Sequence, residues 1–197
     1  MKRRLIIFGA CVACLAAGCD QPAAPVTQAA SYRTITTQPL RDTQTARTHN
    51  RQGLEHLAAG RFDKAADEFN LALTADVEFG PAHNNLGKVL FARKQLYEAA
   101  WEFDYACRLL PHNAEPHNNL GLVLQEAGQL DNAIEQFRTA VNMDPSSVEY
   151  AGNLAVALVR RGDRGAELRQ LLERIIAEDD RGEWVIWARR QLPRAQQ

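Results

Sequence analysis

The sequence predicts an all-α protein, an α-solenoid of helix-turn-helix units closed by a C-terminal capping helix. Three observations predict it. Gly53, Gly87 and Gly121 recur every 34 residues, as do Ala65, Ala99 and Ala133, then Phe69, Phe103 and Phe137, then Ala72, Ala106 and Ala140. A period of this length belongs to a helix pair that buries its apolar face by stacking on copies of itself. Gly60, Gly128 and Gly162 fall inside the units, where a chain turning between helices often needs a left-handed residue, and Pro111 and Pro145 stand at unit ends. The composition supports a packed core, with 197 residues, 46% hydrophobic and 24% charged. A formal net charge of −1 supplies no bulk positive field for a phosphate backbone, which argues against a general nucleic-acid binder.

In chain order, the first element is an address. Lys2, Arg3 and Arg4 precede an apolar run from Leu5 to Gly18 that ends in small side chains. This is the pattern of a secretory signal peptide over residues 1–18, shorter than the roughly 20 residues of a membrane-spanning helix. Its close, Leu15-Ala16-Ala17-Gly18-Cys19, resembles the lipobox of bacterial lipoproteins. The resemblance implies that Cys19 takes a diacylglycerol on sulfur and, after cleavage, an acyl chain such as palmitate on its new amine. Two or more acyl chains anchor a protein stably, so the lipid alone would fix this one to a membrane. The expected location is lipid-anchored, facing the periplasm or cell exterior, with inner or outer membrane left open. Cys11 and Cys14 would leave with the signal and Cys19 would carry lipid, so Cys107 remains alone and an intrachain disulfide is excluded from the mature chain.

Residues 19–43 hold the lipidated cysteine and a spacer rich in Gln, Pro, Ala and Thr with no apolar period, which reads as a disordered linker. Three units follow, Ala46 to Phe79, Gly80 to Asn113 and Ala114 to Ser147. In a fourth, Leu154, Ala155 and Leu171 keep the frame, but Glu167 stands where alanine is expected and Asp179 where proline is. Its second helix is therefore expected to be the least secure. A last helix from about Gly182 to Leu192, with Trp184, Val185, Trp187 and Ala188, would cap the stack.

The period, the early Leu86-Gly87 and Leu120-Gly121, the small residue four before each phenylalanine, and the closing prolines together resemble the tetratricopeptide repeat. The resemblance implies three to four repeats over residues 44–181, with residues 182–197 as capping helix and tail. It also implies a concave face lined by the first helix of each unit, where partners bind.

On that face Asn85, Asn119 and Asn153 recur every 34 residues, with Arg51 at the corresponding place of the first unit, and Asn84 and Asn118 double the row. The row resembles the asparagine ladder of the O-GlcNAc transferase superhelix, whose amides grip the backbone of an extended peptide. An amide offers donors and an acceptor, so it pairs with a peptide group whatever the side chain. Lys88, Phe91 and Leu122 complete the expected partner-binding set, and Leu54 and Val156 could add apolar pockets. The other reading is that these asparagines hydrogen-bond within the stack. A chaperone-tail clamp of lysine and arginine is disfavoured, because Asn50, Leu54, Glu115 and Asn119 occupy its places.

His49, His83 and His117 also recur at 34. Equivalent side chains on stacked helices lie about 8–10 Å apart, too far to share a metal that needs ligands at about 2 Å, so they are read as packing residues. Trp184 and Trp187 share one face of the last helix, as core of the cap or as a contact surface. Catalytic motifs such as G-x-S-x-G, H-E-x-x-H and the phosphate-binding glycine loop do not occur, and Glu98, Glu102 and Asp131 read as a solvated face. The sequence thus predicts a non-catalytic adaptor for a protein or extended peptide, with no cofactor, metal, nucleic acid or small-molecule substrate. A structural subunit using its convex face or tryptophan-bearing helix, with the groove unused, is the alternative.

Overall fold

The computed structural model describes residues 41–195, so the expected signal peptide, Cys19 and most of the linker lie outside the described residues. Among the described residues every element is helical: α1 (Thr43–Ala58), α2 (Phe62–Ala75), α3 (Gly80–Ala92), α4 (Leu96–Leu109), α5 (Ala114–Glu126), α6 (Leu130–Met143), α7 (Val148–Arg161), α8 (Ala166–Glu178) and α9 (Gly182–Ala195). No helix among them is long and apolar enough to cross a membrane.

The helices pair as α1 with α2, α3 with α4, α5 with α6 and α7 with α8, and each pair stacks on the next. The glycine and phenylalanine ladders make the pairing. Phe103 lies so close over Gly87 that a Cβ there would stand 2.7 Å from its Cε1, and Gly53 and Gly121 seat Phe69 and Phe137 in the same way. All three rings are buried, and their outer sides pack on the following unit: Phe69 clusters with Leu86 and Val89, Phe103 with Leu120 and Val123, Phe137 with Leu154 and Leu158. Each phenylalanine thus joins its own pair and the next, and its burial is worth about 1.5–3 kcal/mol.

Turns and caps set the helix limits. Gly60, Gly128 and Gly162 have φ of 68°, 78° and 91°, the left-handed backbone that the sequence suggested; in the second unit the same place is held by Lys94 at 62°. Side chains of Asp42, Asn113 and Ser147 accept hydrogen bonds from backbone N–H groups of Thr45, Glu115 and Tyr150 at the starts of α1, α5 and α7.

The fourth unit corrects the expectation of an insecure second helix. α2, α4 and α6 start at Phe62, Leu96 and Leu130, in strict period, whereas α8 starts at Ala166, two residues late, after a loop that includes Gly162 and Gly165, both with positive φ. The delay turns Glu167 outward and brings Leu168, Leu171, Leu172 and Ile175 inward, so leucine replaces the missing alanine. Glu167 meets Arg138 of α6 through two hydrogen bonds, at 2.8 and 2.6 Å.

First helices of neighbouring units also touch one another, α1 with α3, α3 with α5 and α5 with α7. Contacts of that extent do not join the second helices of neighbouring units. The first helices therefore lie on the inside of the curve and the second helices on the outside.

Candidate functional site

The inner face is built from side chains that α1, α3, α5 and α7 do not bury against their partners. Leu54, Lys88, Leu122 and Val156 occupy equivalent places, and Phe91 lies one turn beyond Lys88. Leu54 is exposed, while Lys88, Phe91, Leu122 and Val156 are half-buried. The apolar row is thus interrupted at Lys88, whose ammonium pairs with Glu115 of α5.

The asparagines are joined across units. Asn85 donates its side-chain N–H to Asn50 Oδ1 at 2.9 Å, Asn119 donates to Asn84 at 3.0 Å, and Asn153 donates to Asn118 at 2.8 Å. Each bond runs from one first helix to the preceding one. Asn84 and Asn118 are buried and serve as acceptors; Asn85 is buried as well. Asn119 and Asn153 are half-buried, and each has spent only one N–H on the stack. Their carbonyl oxygens and second N–H groups are the donors and acceptors that an amide can still offer a ligand.

Both ends of this relay are explained by the chain. Arg51 stands where Asn85, Asn119 and Asn153 stand, but α1 is the first described helix, and among the described residues no preceding helix offers it an amide; Arg51 is exposed and forms no ion pair among them. At the other end Gly152 replaces Asn50, Asn84 and Asn118, and the ring of Trp184 from α9 fills the space that a side chain there would need. Trp184 meets Trp187 edge-on with centroids 5.9 Å apart, and the Arg181 guanidinium lies 4.7 Å from a Trp184 ring centre. With Val156 and Glu183 the two tryptophans line a cavity of about 340 Å³ at the C-terminal end of the inner face. The tryptophans are half-buried, so they serve the cap and also line this cavity.

The histidines each engage their own unit. The Nδ1 atoms of His49 and His83 lie 2.8 and 2.6 Å from Glu68 and Glu102, and that of His117 lies 2.9 Å from Gln136. His83 also faces the Val77 carbonyl through Nε2 at 2.9 Å and meets Tyr105 edge-on. The ladder therefore ties first helix to second within each unit. Cys107 is half-buried, and burial pushes its thiol up to about 12, far from the range in which a thiolate nucleophile forms at neutral pH.

Sequence reasoning missed Asn50 as the first acceptor of the relay. The signal for it was a spacing of 35, one more than the period, which links Asn50 to Asn85, Asn84 to Asn119 and Asn118 to Asn153.

The tetratricopeptide repeat sequence profile matches residues 50–114 and 118–183. Among curated proteins no sequence matches significantly. Solved structures do. YrrB, described as a tetratricopeptide repeat protein with an unusual peptide-binding site, is 24% identical with a TM-score of 0.63, covering 76% of each chain. The first such domain of Spaghetti (RPAP3), bound to the HSP90 peptide SRMEEVD, is 17% identical with a TM-score of 0.61, over 64% of this chain and all of that one. MamA from Desulfovibrio magneticus RS-1 is 22% identical with a TM-score of 0.58, over 74% of this chain and 76% of that one. At these identities the likeness concerns the fold.

Proposed function

Since this chain belongs to the tetratricopeptide repeat family, we propose that it is a non-catalytic adaptor that holds a protein or extended peptide along the inner face of α1, α3, α5 and α7. One observation carries the reading. Asn119 and Asn153, half-buried and with hydrogen-bonding capacity left after the stack is made, stand beside the apolar Leu122 and Val156 on a single face. Amides at unit spacing suit a peptide backbone, and apolar side chains between them give places for every few residues of the ligand. Two of the similar structures are described with bound peptide or a peptide-binding site, which supports the same reading. The cavity at Val156, Trp184 and Trp187 would take an apolar side chain of that ligand.

The adaptor would work at a membrane surface in cell-envelope assembly. The basic start, the apolar run and Cys19 support lipidation, and the Pro- and Gln-rich segment before α1 would hold the repeats off the headgroups. Metabolic labelling with an alkyne-bearing palmitate tests this half: label should appear on the chain and vanish in Cys19→Ala, and label retained in that variant would sink it.

A matched pair of alanine variants tests the groove. Asn84→Ala and Asn119→Ala remove the same bond between α3 and α5, but only the second takes an amide off the inner face. Once a ligand is in hand, Asn119→Ala should weaken it on the order of tenfold while Asn84→Ala leaves affinity near wild type. Equal effects would mean that the amides serve only the stack.

A further inference from the structure

The second helices leave an acidic, aromatic cleft on the outer face. Tyr97 and Trp101 stand one turn apart on α4 and are 83% and 60% exposed, although aromatic side chains of this size are ordinarily well buried. They line a cleft of about 400 Å³ between α4 and α6, with Leu120 and Leu124 of α5 at its lining and Asp104 and Glu135 as its carboxylates. No basic side chain lines it. Asp104 meets Arg108 one turn along at 2.8 Å, whereas the Glu135 carboxylate has no ion-pair or hydrogen-bond partner among the described residues. Aromatic faces beside an unpaired carboxylate such as that of Glu135 attract guanidinium and ammonium groups, and an apolar floor receives their aliphatic stems.

The chain carries the complementary surface elsewhere. On α9 the buried and half-buried face is made by Trp184, Val185, Trp187, Ala188 and Leu192. The opposite face exposes Ile186, Arg189 and Arg190, and Arg194 is exposed two turns beyond Trp187. None of these three arginines has a carboxylate within ion-pair distance among the described residues, so their charges are free to meet a partner. Ile186 and Arg190 lie one turn apart, an aliphatic group beside a cation, matching the aromatic and acidic character of the cleft. α9 packs on α8, and the cleft lies between α4 and α6, so within one molecule the two surfaces belong to different units.

We propose that the outward face of α9 docks in the Tyr97–Trp101 cleft of a second copy of this chain. The two surfaces differ, so the contact is head to tail. In this arrangement each contact leaves a free cleft at one end and a free α9 at the other, so copies add until a ring closes or an open array grows. The inner face takes no part, so this contact stands or falls apart from ligand binding in the groove.

Sedimentation velocity of the full chain over rising concentration tests it, at low and at high salt. The wild type should form successively larger species that dissociate as salt screens the pairs. Glu135→Arg and Arg190→Glu should each weaken association on the order of tenfold, and the double variant should regain it, because the reversed charges again face each other. Trp101→Ala should weaken association at least as much. All the substituted side chains are exposed, and circular dichroism would confirm that each variant folds. A wild type that stays monomeric throughout would overturn the proposal. So would association untouched by the single reversals, or a double variant no better than either parent.

Discussion

Asn153 on α7 donates to Asn118 Oδ1 on α5 at 2.8 Å, and Asn118 is almost wholly buried. With the bonds from Asn119 to Asn84 and from Asn85 to Asn50, it forms a row of single amide contacts, one at each junction between units. Stability in a stacked array resides largely in such junctions.

Asn118→Ala should therefore lower stability by about 1–2 kcal/mol, the cost of a lost buried hydrogen bond, in urea unfolding. A cycle with Asn153→Ala should show coupling of about 0.5–1.5 kcal/mol. Strictly additive losses would show that the bond contributes nothing to the junction.

Gly152 ends the relay because Trp184 occupies its side-chain space. Gly152→Ala should displace the ring, at a cost of about 1–3 kcal/mol from overpacking, partly offset by the better helix propensity of alanine. Tryptophan emission should shift to longer wavelength as the cap loosens. Unchanged emission and unchanged stability would contradict the seat described for Trp184.

Lys94 holds the left-handed turn position that glycine holds in the other three units, at φ 62°. Its ammonium reaches Glu126 at 3.0 Å, an exposed pair worth less than about 1 kcal/mol. Left-handed backbone costs an L-residue about 1–2 kcal/mol, so Lys94→Gly should stabilise the protein by roughly 0.5–1 kcal/mol and raise Tm. A lower Tm would show that the ion pair outweighs the strain.

Acid should loosen the junction of α6 and α8. The hydrogen bonds from Arg138 hold the Glu167 carboxyl below the usual carboxylate range. A carboxyl with a depressed folded-state pKa contributes stability above its unfolded value near pH 4, and that contribution disappears as pH falls through the folded value. Both partners are substantially exposed, so the contribution is less than about 1 kcal/mol. Glu167→Gln should be less stable than wild type at pH 7, and the difference should close in the acid range below pH 4. A difference that persists at pH 2 would assign the effect to something other than charge.

The repeated part of the fold was legible because one physical requirement recurs at one spacing. Gly87 must be bare for Phe103 to close on it, and the same need writes Gly53 with Phe69 and Gly121 with Phe137. What did not repeat was not legible. Lys94 hides a left-handed turn behind an ordinary residue, and the two-residue delay of α8 made Glu167 look like a lost core position when Leu168 had taken it. The asparagine row showed as a ladder of 34, and hydrogen bonding within the stack was one reading of it, but the bonds run at 35, so which asparagine pairs with which emerged only from the geometry. Tyr97 and Trp101 have no counterparts at the repeat spacing and gave no periodic signal.

The central claim is that the inner face carries the partner, and site-specific photocrosslinking in cells tests it most directly. A benzophenone amino acid at Leu122, half-buried on α5, would be compared with the same probe at Glu173, exposed on the outer helix α8 and distant from the α4–α6 cleft. A discrete adduct from Leu122 that is absent from Glu173, and lost in Asn119→Ala, is the predicted result. Adducts from Glu173 with none from Leu122 would contradict the account and assign partner contact to the outer face.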